Sequence, residues 1–278
     1  MDLIYGVLES LPVSMFQYDF MKNAFIALVL LAPLFAMLGT MTVNNKMAFF
    51  SDALGHSAFT GIAIGTLLGC GNPLLAMIIF GIGISLVITR VRASGLASSD
   101  TVISVFSSTA MALGIVILTS RGGFARISSY LIGDILTVGV GDIFLILTVL
   151  VLAYFLWIFL YNPLLLLSVN PSLAASRGIK TLVVENIFVI MVAVAVMVSI
   201  RWVGILMINS LLILPAAAAR NISQGARSYH WVATGFAVVA SIIGLWISYQ
   251  FGTSAGASIV LVLAIFFFFT YLVGRRGK

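Results

Sequence analysis

The sequence predicts an all-α fold, a polytopic transmembrane helical bundle of about 8 to 10 membrane segments, each close to the twenty apolar residues that cross ~30 Å of hydrocarbon. Three observations carry that expectation. Hydrophobic residues are 62% of the 278 and charged residues 8%, and the mean hydropathy is +1.22, values that a water-soluble domain does not reach. Apolar windows recur from end to end, so residues 1–278 read as one transmembrane domain. Most of the Lys and Arg residues sit in short connections and in the tail, at Arg275, Arg276 and Lys278, where basic side chains anchor loops on the inner face of a membrane. The net charge of +6 therefore calls for no nucleic acid; membrane lipid is the surrounding partner.

Taken in order, the windows fall at 24–42, 51–69, 73–91, 101–119, 140–160, 183–200, 203–220, 231–250 and 255–273. The first follows Asp19 and Lys22 and lacks a small-residue cleavage site, so it reads as a retained helix and not a signal peptide. A tenth segment, 124–138, is short and polar and is read as spanning, re-entrant or interfacial. With nine spans the N-terminus is outside and the inner basic set is Lys46, Arg90, Arg92, Arg177, Lys180, Arg220, Arg227, Arg275, Arg276 and Lys278. With ten, the N-terminus is inside and Lys22, Arg121 and Arg126 replace Lys46, Arg90 and Arg92, so the basic residues do not choose. Both versions put residues 161–182 and the C-terminus in the cytoplasm. Within that interruption Pro171 to Ser176 is predicted as a short helix, with Asn170 as cap, Pro171 in the first turn and Gly178 ending it. Such a helix suits docking on a soluble partner; an ordinary surface loop is the other reading.

Asp52 and His56 are the leading candidates for chemistry. Four residues apart on a helix, they share one face. A carboxylate at mid-bilayer costs about 2.5 to 3.5 kcal/mol on insertion scales, so it faces a partner, a cavity or an ion. Carboxylate oxygen with imidazole nitrogen suits a divalent transition metal; mutual pairing without metal is the structural alternative. Cys70 is the sole cysteine, which removes an internal disulfide or a thiolate cluster. No G-x-x-x-x-G-K-[ST] loop occurs, so the chain is not expected to be an enzyme that hydrolyses ATP by that route. No H-E-x-x-H motif occurs either, which disfavours an intramembrane metalloprotease. Asp134 is a weaker pathway candidate, Asp100 an expected N-cap, His230 an expected interfacial anchor beside Tyr229 and Trp231, and Glu185 a helix-opening acid. Gly61, Gly65 and Gly69 recur every four residues and permit close helix approach. Pro215 inside an apolar helix predicts a kink, serving as a gate or simply packing.

Seven stretches, in order, resemble the permease subunits of bacterial metal-ion ABC importers. They are Phe20 to Ala24, Asn45 to Ala58, Asp100-Thr101 with Met111 to Gly114, Ser129 to Leu136, Asn170-Pro171 with Ala174 and Gly178-Ile179, Val203-Gly204 through Leu211 to Ala217, and Gly256 to Leu261. The resemblance implies a type II importer-like fold in the bacterial inner membrane, with a homodimer enclosing the pathway. It also implies a separate ATP-binding cassette ATPase docked at Asn170, Pro171, Ala174, Gly178 and Ile179, and an extracytoplasmic substrate-binding protein that delivers metal. The cargo would be zinc first and manganese second, with no permanently bound cofactor and ATP used only through the partner subunit. Metal-site residues carried over are Asp52, His56 and Asp134; gating or packing residues are Gly61, Gly65 and Pro215. The zinc lean rests on Ser129 to Asp134, which looks like the zinc branch. The chain departs before Gly256, reading Gly252-Thr253-Ser254-Ala255 where the family often has an acid and a proline. Kinship with vitamin B12 importers favours ten spans. An ATP-independent secondary transporter or channel is the rival class; no inverted repeat of broken helices supports it.

Overall fold

The computed structural model describes residues 2–10, 12–120 and 133–276, and within them the fold is entirely helical. The helices are α1 (Asp2–Glu9), α2 (Asp19–Asn44), α3 (Phe50–Leu67), α4 (Pro73–Ala93), α5 (Ser99–Ser120), α6 (Val140–Val169), α7 (Pro171–Ser176), α8 (Thr181–Ile222), α9 (Ala226–Phe251) and α10 (Ala255–Arg276). Seven of them are long and apolar enough to cross a membrane. Most of the tenth segment expected from sequence lies outside the described residues; its end, Ile135–Thr137, is a 3-10 turn.

Helix α8 is 42 residues long, about 63 Å if straight at 1.5 Å per residue, twice what a bilayer accommodates. It does not run straight. Gly204 breaks it with φ 75 and ψ 161, a backbone conformation that is essentially restricted to glycine. Before the break, Met197 packs on Gly81 of α4, and Arg201 shares a small cavity with Pro73. After it, Met207 lies beside Gly256, and Asn221 meets Thr270 and Gly274 of α10. The first half thus runs antiparallel to α4 and the second parallel to α10, so the chain doubles back at Gly204. Sequence reading expected two spans here, 183–200 and 203–220, and the reversal between them falls at Gly204, where φ is positive; the further kink expected at Pro215 is not found, and Pro215 stays within the helix.

Other packing fixes the directions of the remaining helices. Without a hydrophobic drive between helices in lipid, close approach of small residues supplies association. An added Cβ on Gly61 would lie 2.8 Å from the Met77 Cα, and one on Gly65 2.5 Å from the Ala76 Cβ, so α3 and α4 meet at these glycines in antiparallel register. Thr60 donates to the Ala110 carbonyl, and Gly114 packs on Thr60, so α5 lies against α3. Arg92 at the end of α4 reaches Ser99 Oγ at 3.2 Å and the Asn45 carbonyl at 3.4 Å. The bundle therefore has two ends. One holds α7, the ends of α2 and α4, Ser223 and the C-terminus; the other holds Cys70, Gly204, the 252–256 turn and α1.

Ser120 and Gly133 both lie at the Gly204 end, Gly133 directly against the backbone of Val203 and Gly204. Counting α3 and both halves of α8, the described helices make nine passes between the two ends of the bundle, which does not fit the favoured ten-span arrangement, since that needs these two residues at opposite ends. Helix α6 supplies a second correction. It continues through Pro163 to Val169, with Leu164 and Leu167 buried, so the polar interruption spans only residues 170–180 and not 161–182. At the Gly204 end, Lys22 is almost fully buried, pairs with Asp19 at 2.8 Å and with Glu9, and lies under the Tyr5 ring, while Tyr5 hydroxyl donates to Asn23. These contacts clasp α1 onto α2.

Candidate metal site

Asp52 lies in the first turn of α3 and His56 one turn on. The turn before them alternates exposed Lys46 and Phe49 with buried Met47 and Phe50, so the pair lies on the part of α3 nearest the α7 end. His56 Nε2 stands 3.5 Å from Asp52 Oδ2. Two donors bound to one ion at 2.0–2.2 Å and a near-tetrahedral angle stand about 3.4 Å apart, so the pair has the spacing of a bidentate metal clamp. The side chains keep 41% and 21% exposure, which means that they face open space and are not sealed against each other in the core.

The other Asp52 oxygen, Oδ1, accepts from Asn209 Nδ2 at 2.9 Å. Asn209 lies on the second half of α8, five residues past Gly204. Gly55 makes this junction possible, because an added Cβ there would meet Ile205 at 2.8 Å. Ser107 of α5 borders the same carboxylate. Three atoms at the site are buried without a hydrogen-bond partner: Ser51 Oγ, His56 Nδ1 and Asn209 Oδ1. Buried polar atoms are nearly always satisfied, so these mark capacity that the chain leaves to something else. Asn209 was missed in the sequence; its signal is an amide inside the apolar run Ile205 to Leu214.

Among the described residues no third His, Cys, Asp or Glu joins Asp52 and His56. Asp134 is elsewhere: its carboxylate caps the 3-10 turn by accepting from Leu136 N–H at 3.0 Å. With Arg201, Thr253 and Ser254 it lines a cavity of about 720 Å³ at the Gly204 end. Thr253 to Ala255, from the segment that departs from the resembled pattern, line the same cavity. His230 of α9 sits near the α7 end, 3.4 Å from Thr40 Oγ1 and packed against the Trp157 and Tyr161 rings at 5.5 and 5.1 Å, away from the pair. Asp100 does not cap α5; Ser98 Oγ accepts from Thr101 N–H at 3.2 Å instead.

At the other end, the short helix expected from sequence is present as α7. Asn170 Oδ1 accepts from Leu173 N–H at 3.1 Å, Pro171 opens the helix, and Ala174 is fully buried. Gly178 at φ 78 closes it, with its N–H donating to the Ala175 carbonyl and that of Ile179 to Ala174. Leu173 is exposed, leaving an apolar side chain on a rigid, outward-facing turn.

Fold and site together define a polytopic helical membrane protein with an intramembrane carboxylate–imidazole clamp and a rigid helix on one connecting loop. The chain belongs to the ABC 3 transport family, whose model matches residues 17–274. It is 28% identical over 262 residues to the manganese import system permease protein ScaB of Streptococcus parasanguinis, covering 94% of this chain and 93% of that one. It is 30% identical over 256 residues to the high-affinity zinc uptake system membrane protein ZnuB of Haemophilus influenzae, covering 90% and 96%. The solved structure of PsaBC from Streptococcus pneumoniae in complex with Fab superposes with a TM-score of 0.80 at 26% identity, over 98% of this chain and 95% of that one.

Proposed function

We propose that the chain is the membrane-spanning permease subunit of an ATP-binding-cassette importer that carries a divalent transition metal, manganese or zinc, into the cytoplasm. The observation that carries this reading is the Asp52–His56 clamp at 3.5 Å, facing open space inside the bundle. A transport site must release as well as bind, and two donors from one chain hold an ion more loosely than a closed four-ligand cage. A second copy related by a two-fold axis would bring a matching pair and complete the site.

Sidedness follows from charge. At the α7 end stand Lys46, Arg90, Arg92, Arg177, Lys180, Arg220, Arg227, Arg275 and Arg276, whereas Lys22 and Arg201 are the described basic residues at the other. The positive-inside rule then makes the α7 end cytoplasmic. A separate ATPase docks on α7, and a metal-binding extracytoplasmic protein delivers its ion at the cavity lined by Asp134 and Arg201. The experiment is ATP-dependent manganese and zinc uptake into proteoliposomes holding the chain with its ATPase and binding protein. Asp52→Ala and His56→Ala are expected to abolish uptake with assembly intact; undiminished uptake would remove the clamp from the pathway.

A further inference from the structure

Asn209 donates to the Asp52 carboxylate from a second helix, across 157 positions of sequence, and Ser107 of α5 borders the same carboxylate. Its amide has a defined direction. Nδ2 donates to Asp52 Oδ1; turned over, the amide would set two acceptor oxygens face to face, which no hydrogen bond relieves. That leaves Asn209 Oδ1 buried and unpartnered beside a carboxylate, with His56 Nδ1 unpartnered beside the same pair. A buried amide oxygen left without a donor is costly, and a cation supplies what a donor would. We propose that Asn209 Oδ1 is a ligand of the transported ion, a second oxygen donor that completes the clamp and biases it toward manganese.

The inference rests on the reading of Asp52 and His56 as the transport site, and it adds metal preference to that reading. One chain then presents two oxygens and one nitrogen. Zinc is satisfied by four donors, commonly nitrogen and sulfur, in tetrahedral array; oxygen-rich sets of higher coordination number suit manganese. Two copies about the pathway supply six donors, four of them oxygen. The Asn209 N–H group meanwhile stays on Asp52, so the same side chain orients one ligand while serving as another. Because Asn209 lies on the second half of α8 and its companions on α3, the three-donor set exists only while these helices are in register, and their separation would release the ion without any change in protonation.

The test uses the full transporter with its ATPase and binding protein in proteoliposomes, with manganese and zinc in competition, alongside the manganese(II) paramagnetic resonance spectrum of the loaded permease dimer. Asn209→Ala is expected to lower manganese uptake at limiting metal by about tenfold or more, the scale on which metal-site partners act, to leave zinc uptake less affected, and to change the manganese spectrum. Asn209→Gln, which keeps both the amide oxygen and the N–H donor, is expected to retain manganese transport in part and guards against a folding artefact. Equal loss of both metals with an unchanged spectrum would make Asn209 a positioning residue and overturn the proposal, as would wild-type behaviour of Asn209→Ala. If uptake also survives Asp52→Ala, the transport site itself is misassigned; if it does not, only the role of Asn209 has failed.

Discussion

Replacing Gly204 by alanine tests the reversal on which the whole topology depends. At φ 75 and ψ 161, a side chain enters a region that costs a non-glycine residue of order 1–3 kcal/mol, about 5- to 150-fold in a two-state equilibrium. The surroundings allow no relief, because Gly133, itself at φ 64, packs directly on the Val203–Gly204 peptide. Gly133→Ala therefore meets two penalties, the left-handed backbone and overlap with a backbone that has no flexible end to yield. The assay is heating of the detergent-purified permease with recovery of monodisperse protein, paired with uptake. Both variants are expected to lose stability, Gly133→Ala the more, and the double variant to lose less than the sum because the sites touch. Pro215→Ala is the control: it lies where the helix is unbroken and should change stability little. If Gly204→Ala and Pro215→Ala behaved alike, the reversal at Gly204 would be refuted.

Two further outcomes are expected. Gly178→Ala at φ 78 should cost about 1–2 kcal/mol in the turn that closes α7; uptake should fall while manganese binding at Asp52 and His56 is retained, which a metal-binding measurement beside an ATPase assay would separate. Cys70, the sole cysteine and exposed, should react with a membrane-impermeant thiol reagent in intact cells, because the proposed orientation, with α7 inside, puts the 68–72 turn outside; labelling only after permeabilisation would reverse the orientation.

Much of the fold was legible because the hydrocarbon imposes its own period on the sequence: nine apolar windows map onto the helices found, and the α7 turn is written in Asn170, Pro171 and Gly178. What was not legible depended on features that hydropathy ignores. Helix α6 outruns its predicted end at residue 160 by nine residues, since Leu164 and Leu167 find burial beyond a proline that normally signals a stop. The reversal between the windows 183–200 and 203–220 was legible, but not its packing, because Gly133 arrives against Gly204 from 71 residues away in sequence. The site shows the same division. Asp52 and His56 are local, four residues apart, and local spacing reveals them; Asn209 joins them only through tertiary structure.

Reversal and site are mechanically one unit. Asn209 lies five residues past Gly204, about 7 Å along the helix, so any tilt of the second half of α8 about the Gly204 pivot moves the amide relative to Asp52 while α3 stays held by α4 and α5 through Gly61, Gly65 and Thr60. The pivot is buttressed by Gly133, whose neighbours Asp134 and Thr137 line the cavity at that end together with Arg201 and Ser254. In the proposed importer, a protein docking there would press on the buttress, and a subunit docking on α7 would pull on the first half of α8 through the 177–180 connection. Both forces would then converge on Gly204, and the hydrogen bond at 2.9 Å between Asn209 and Asp52 is the contact that their balance would make or break.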